Sequence, residues 1–196
     1  MHLVFDIFQG IGVAAAVGIR PFLPTLVVGA LAAGDVQIDF KGTGFAFLQH
    51  APFLLVMVLG AIAFSLAERR LGGERLQRRG PAAILGLVAV VLGALLFAAA
   101  LAQGHYSTWP GYIGGVVCAA VGIAATVPLF ARVRGRLDAS AQTALPLFTE
   151  GGALLLAALS VLLPPVGLLG LLGLLWLLFA GRGREQSKYA GLRILR

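Results

Sequence analysis

Long apolar runs alternate with short polar segments along this chain. Six runs approach the ~20 apolar residues that a helix needs to cross the hydrocarbon layer of a bilayer. They lie at roughly 10–33, 45–67, 81–103, 111–133, 145–163 and 165–181. The last two are short, and the Leu163-Pro164-Pro165-Val166-Gly167 turn between them is tight. The pattern predicts an all-α polytopic membrane protein with six transmembrane helices.

Composition sharpens this reading. Hydrophobic residues make up 59% of the 196 positions and charged residues only 12%, where a soluble domain carries about a quarter. The mean hydropathy is +0.95. A deficit of charge over the whole length implies a surface that faces lipid. The net charge of +7 does not point to nucleic acid, because the positives cluster at the ends of the apolar runs.

Of the 15 basic residues, all but Arg20 and Lys41 fall in three places: Arg69–Arg79, Arg132–Arg136, and the tail from Arg182 onward. Short cytoplasmic loops retain Lys and Arg, so these three segments are expected on the cytoplasmic side of the cell (inner) membrane. Six spans then place both termini in the cytoplasm and the 34–44, 104–110 and 164–167 loops outside. Trp109 and Tyr112 fit an outer interfacial belt. The Arg clusters suit anionic lipid headgroups. The tail reads either as a short amphipathic helix on those headgroups or as a disordered end. The start, Met1-His2-Leu3-Val4-Phe5-Asp6, lacks a basic region, so the first apolar stretch reads as a retained helix and not as a cleaved signal.

The two halves resemble each other. Val13-Ala14-Ala15-Ala16-Val17-Gly18-Ile19 matches Val117-Cys118-Ala119-Ala120-Val121-Gly122-Ile123, with Pro24 and Pro128 at the same offset. Spans 3 and 6 share Leu-Gly-Leu, at Leu85-Gly86-Leu87 and Leu169-Gly170-Leu171. The division expected is a first three-helix repeat over 1–103, a second over 104–181, and a basic tail over 182–196. With six spans the repeat must be inverted, an arrangement common in transporters, with broken helices 1 and 4 flanking a midplane site.

Arg20 is the most informative residue, in Gly18-Ile19-Arg20-Pro21-Phe22-Leu23-Pro24. A charge at membrane depth costs roughly 3 kcal/mol on insertion scales and faces a cavity or a partner. Pro21 and Pro24 each lack a backbone donor, so the helix should kink or break here. Because the apolar run extends back to Leu3, a position nearer an interface stays open. Glu150, in Thr149-Glu150-Gly151-Gly152, is the expected partner, either as a structural ion pair or as a proton- or ion-coupling carboxylate. His50 occupies the matching place in span 2 and reads as an interfacial polar group or a proton relay. Candidate substrate-binding residues are Arg20, Gly18, Pro21, Pro24, Glu150, Gly122, Thr126 and Pro128. Asp6 and Glu68 read as exposed helix-end carboxylates.

No zinc-protease helix, Cys-x-x-Cys pair, nucleophile elbow or P-loop occurs. The lone Cys118 forms no intrachain disulfide, and the three histidines are far apart. No metal, cofactor or catalytic residue is expected. The Ala16–Pro24 segment resembles a family of small bacterial membrane proteins grouped as a domain of unknown function. Their first helix carries a Gly-Ile/Leu-Arg-x-Phe/Tyr-x-Pro signature, and the match extends to Glu68-Arg69-Arg70. That resemblance implies an architecture and singles out Arg20 without naming a substrate. Three readings stand: a small transporter or channel with a midplane site for an anion or lipid phosphate, a non-catalytic scaffold or assembly factor binding anionic lipid or a partner protein, and an intramembrane lipid-modifying enzyme. Glycine-rich faces would also favour a homo-oligomer.

Overall fold

The computed structural model describes residues 2–71, 79–134 and 139–190, with side chains over a somewhat smaller set. Among them are seven α-helices and no strand: α1 (His2–Ile19), α2 (Phe22–Ala33), α3 (Ala51–Leu71), α4 (Arg79–Gln103), α5 (Trp109–Arg134), α6 (Ala139–Leu162) and α7 (Pro164–Ala190). A single 3-10 turn, Ala46–Gln49, precedes α3. Most of the basic connections, 72–78 and 135–138, and the last six residues lie outside the described set. Helix α7 runs on through the start of the basic tail to Ala190.

Four helices, α3 to α6, are long and apolar enough to cross a membrane; α1, α2 and the first part of α7 are shorter apolar helices. The outer faces carry Leu55, Val56, Leu59 and Ile62 on α3, Ile84 and Leu87 on α4, and Ile113 and Val117 on α5, all more than half exposed. In water such a surface would aggregate; in lipid it is matched to its surroundings. This is a membrane-embedded helical protein.

The sequence pattern made 10–33 one span, and the structure divides it into two helices that run in opposite directions. The amide of Arg20 still closes the last turn of α1, donating to the Ala16 carbonyl at 3.1 Å. Pro21 has no N–H to continue the ladder, and the chain turns back. Pro24 is then the third residue of α2, where an amide would lack an intrahelical partner anyway, so it costs little. Neighbours fix the directions. At the start of α1, Asp6 lies beside Gly104, while Gly18 near its end meets Ala119. Gly29 of α2 sits on Leu48 and Leu54, and the Gln103 side chain donates to the Gln37 carbonyl at 3.4 Å. After α2 the chain has therefore returned to the end where α4 meets α5.

This reversal changes the topology. The start of α1 lies at the end bearing the 104–108 and 163–164 turns. Helix α7 begins there too, with Gly167 against the Phe8 carbonyl and Gly12, and runs toward the end bearing Arg20. The first and last helical residues are thus at opposite ends of the bundle. The expected inversion also fails. Helices α1 and α5 are parallel, and the segments matched in sequence lie side by side, since a Cβ on Gly122 would come 3.1 Å from the Gly18 Cα. Helix α5 is continuous from Trp109 to Arg134 through Pro128, where a break was expected. Pro128 is on the exposed face, so its cost stays within its own helix, as one lost ladder bond and crowding of the carbonyl four residues back.

Helix α1 is the central strut. Residues 12 to 18 are all buried, and α1 packs on α4, α5, α6 and α7. Between helices in lipid, attraction comes from close van der Waals contact, which small residues allow. Glycines supply it at Gly12 against Gly167, Gly18 against Ala119, and Gly115 against Gly93 and Ala94.

The 34–50 segment closes one end of the bundle. Helix α2, about 18 Å long at 1.5 Å per residue, is too short to cross the hydrocarbon alone, so irregular backbone follows it inward of the surface. Such backbone is tolerated where protein buries it and its polar groups are satisfied. Ile38, Phe40 and Leu48 are at most 2% exposed, and the Phe40 amide donates to Gln49 Oε1 at 3.0 Å. Outside, Lys41 Nζ bridges both carboxylate oxygens of Asp35 at 2.5 and 2.8 Å.

Candidate functional site

Where α1 stops at Ile19, its neighbours α4, α5 and α6 do not stop with it. The missing continuation leaves a cavity of about 150 Å³, and roughly 10–15 Å³ of such space suffices for one water. Its walls come from Gly18 to Pro21 at the reversal, Phe64 and Glu68 of α3, Ala82, Leu85, Gly86 and Ala89 of α4, Ile123, Thr126, Val127 and Phe130 of α5, and Thr149 of α6. Nearly all of it is apolar. The exceptions are Arg20, Glu68, Thr149 and Thr126, and the first three converge.

Arg20 Nε and Nη2 donate to Thr149 Oγ1 at 3.1 and 3.0 Å, and Nη2 also donates to Glu68 Oε1 at 3.3 Å. Nη1 lies 3.2 Å from Glu68 Oε2, with the two side chains 13% and 10% exposed. The guanidinium also stands 4.9 Å from the centre of the Phe64 ring, a favourable face for a cation. Thr149 is held in place by its own hydroxyl, which donates to the Pro146 carbonyl at 2.8 Å. The position at the carbonyl end of α1 favours a positive charge as well. A guanidinium has five N–H donors. Three hydrogen bonds engage Nε and Nη2, and Nη1 is engaged by its ion pair with Glu68 Oε2.

The reversal explains which sequence candidates gather here. Gly18, Arg20, Pro21 and Thr126 line the cavity. Thr126 donates to the Gly122 carbonyl at 2.6 Å, satisfying its own helix. Gly122 and Pro24 are buried in the bundle and serve close contact. Glu150 is not the ion-pair partner. It shares a small adjoining pocket with Arg20, Pro21 and the first two residues of α2, where a carboxylate faces the positive end of that helix. Pro128 is exposed, and its carbonyl accepts from Arg132 Nε at 3.0 Å. His50 is exposed beside the 3-10 turn, at the opposite end of the bundle.

The partner of Arg20 is Glu68, read from sequence as an exposed helix end. The available signal was the apolar run reaching back to Leu3. Counted with α2 it gives some 30 residues, or about 45 Å of continuous helix, far more than one span needs. Among the described residues no cluster of three or more His, Cys, Asp or Glu could hold a metal.

Residues 7–182 match the family described as domain of unknown function DUF4126. The chain belongs to that family. No curated protein and no solved structure matches it.

Proposed function

We propose that this DUF4126 protein is a small membrane transport protein of the cell membrane that holds an anionic group at Arg20. The observation that carries the proposal is a cation in a largely apolar cavity, bound to one carboxylate, Glu68, and one hydroxyl, Thr149. An incoming phosphate, carboxylate or inorganic anion would take the place of Glu68 on the guanidinium. Glu68 would then act as the stand-in that keeps Arg20 neutralised between occupancies. The Arg-rich end would face the cytoplasm, so the cavity would be loaded from that side.

The test needs no substrate. In a Cys118→Ala background, single cysteines at Ile19 and Val127, which line the cavity, are challenged with a membrane-impermeant thiol reagent from each side. Labelling of both from the Arg-rich side, suppressed by a millimolar oxyanion such as sulfate, is the expected result. Protection of both, with cysteines in the 104–108 turn labelling normally, would refute a water-accessible site. It would favour the second reading, a non-catalytic scaffold. That reading draws on a different observation: Arg20 ties α3 and α6 to the α1–α2 reversal, as a structural clasp would.

A further inference from the structure

Helices α3 and α4 are consecutive in sequence, yet among the described residues each packs mainly on other elements. Among the described residues α3 rests on α2 and the 3-10 turn, while α4 packs on α1 and α5. Both nevertheless line the cavity, α3 through Phe64 and Glu68 and α4 through Ala82, Leu85, Gly86 and Ala89. The cavity therefore spans a slot between two helices whose outer faces meet lipid. Its surroundings are graded. Leu66 and Leu87, half or more exposed, lie on the outer faces of the two helices at 100° per residue, and Arg69 and Arg70 occupy the last turn of α3 at the Arg20 end. Inside, the apolar wall of Leu85, Ala89, Ile123 and Val127 leads to Arg20.

From this geometry we propose that the slot is a lateral entrance for one anionic phospholipid. An acyl chain lies between α3 and α4, and the phosphate meets Arg20 in exchange for Glu68, with Arg69 of the last turn of α3 next along the chain. The proposal deepens the reading of Arg20 as an anion site and rests on it. Two features favour a lipid over a free anion. A slot open to the bilayer is filled by acyl chain by default, and the cavity presents far more apolar wall than a bare anion can use. The positive charges of Arg20 and of the Arg69–Arg70 helix end favour the anionic headgroup over a zwitterionic one.

The experiment uses the full chain in vesicles. Trp109 and Trp176, both exposed, are replaced by Phe, and Phe64→Trp supplies a reporter of similar shape in the cavity wall. A second protein carries Ile84→Trp instead, because Ile84 lies on the side of α4 away from Leu85, Gly86 and Ala89 at 100° per residue. Quenching by a small fraction of brominated phosphatidylglycerol is compared with brominated phosphatidylcholine. A preference of roughly tenfold is expected at position 64, as for one charge-assisted contact, with none at position 84. Arg20→Gln should abolish the preference, and Glu68→Gln, which removes the competing charge while keeping the shape, should raise it. Equal quenching by the two lipids at position 64 would overturn the proposal. So would a preference erased by millimolar inorganic phosphate, but that outcome would leave Arg20 standing as a site for free anions. Equal quenching together with no effect of phosphate on labelling of a cysteine at Ile19 would remove both readings.

Discussion

Alanine at Gly122 is the sharpest test of how this bundle is held together. A Cβ there would run into the Ala15 carbonyl oxygen and stand 3.1 Å from the Gly18 Cα; the reciprocal change at Gly18 would put a Cβ 2.9 Å from both the Cα and the carbonyl carbon of Ala119. Carbon atoms rest at about 3.5–4.0 Å, so α1 and α5 would have to separate by roughly 0.5–1 Å. A gap of that size forfeits about a quarter to a half of each contact it opens. The obstructing atoms are backbone and cannot swing aside. Overpacking of this kind costs about 1–3 kcal/mol, and the upper half of that range applies to Gly122→Ala. In a thermal melt in detergent this corresponds to a fall of roughly 4–12 °C. Because one separation relieves both collisions, the Gly18→Ala/Gly122→Ala double variant should lose less than the sum of the singles. Gly173→Ala is the control: nothing lies within 4 Å of its Cβ position, and alanine is the better helix former. If Gly122→Ala melted with wild type, or Gly173→Ala fell equally, the glycine seam would not be what sets the approach of α1 to α5.

Three other outcomes are expected. Arg20→Ala should destabilise the protein, because it removes the guanidinium that bridges Glu68 of α3 and Thr149 of α6, and Arg20→Ala/Glu68→Ala should lose less than the sum of the two single variants in the same melt. Reporter domains fused at the two termini should score on opposite sides of the membrane; equal scores would contradict the reversal at Arg20. Lys41 is held protonated above its usual range, chiefly by its hydrogen bond to Asp35. The contribution of this contact should therefore be intact at pH 9 and fade only above about 10.5, so that Lys41→Met and wild type converge in stability at high pH.

Helix positions were legible from hydropathy because lipid imposes one rule over the whole length. The predicted spans 81–103 and 111–133 coincide with α4 and α5 within two residues. The break at Arg20-Pro21 was legible from proline chemistry. What hydropathy could not convey is direction, since a run of about 24 apolar residues is equally apolar straight or folded back. Once the midplane was assumed for Arg20, Glu150 became the natural partner and Glu68 was left at a helix end. The reversal moves Arg20 to that same end, and Glu68 follows. Pro128 misled for a related reason, because a proline on an exposed face of a long helix need not break it. The resemblance between halves was real as local sequence and wrong as symmetry. Gly18 and Gly122 are matched residues that touch each other across a parallel pair.

The closed end has a consequence for rates. A continuous pore from the Arg20 cavity would have to run through residues 34–50, and there Phe40 and Leu48 are fully buried with the Phe40 amide tied to Gln49. Nothing could stream past them at diffusional speed. Every passage would wait on withdrawal of this stopper, a collective motion on the scale of microseconds to milliseconds or slower. Under the transport reading proposed above, flux would therefore saturate with concentration, and single-channel recordings of the purified protein would show no unitary current.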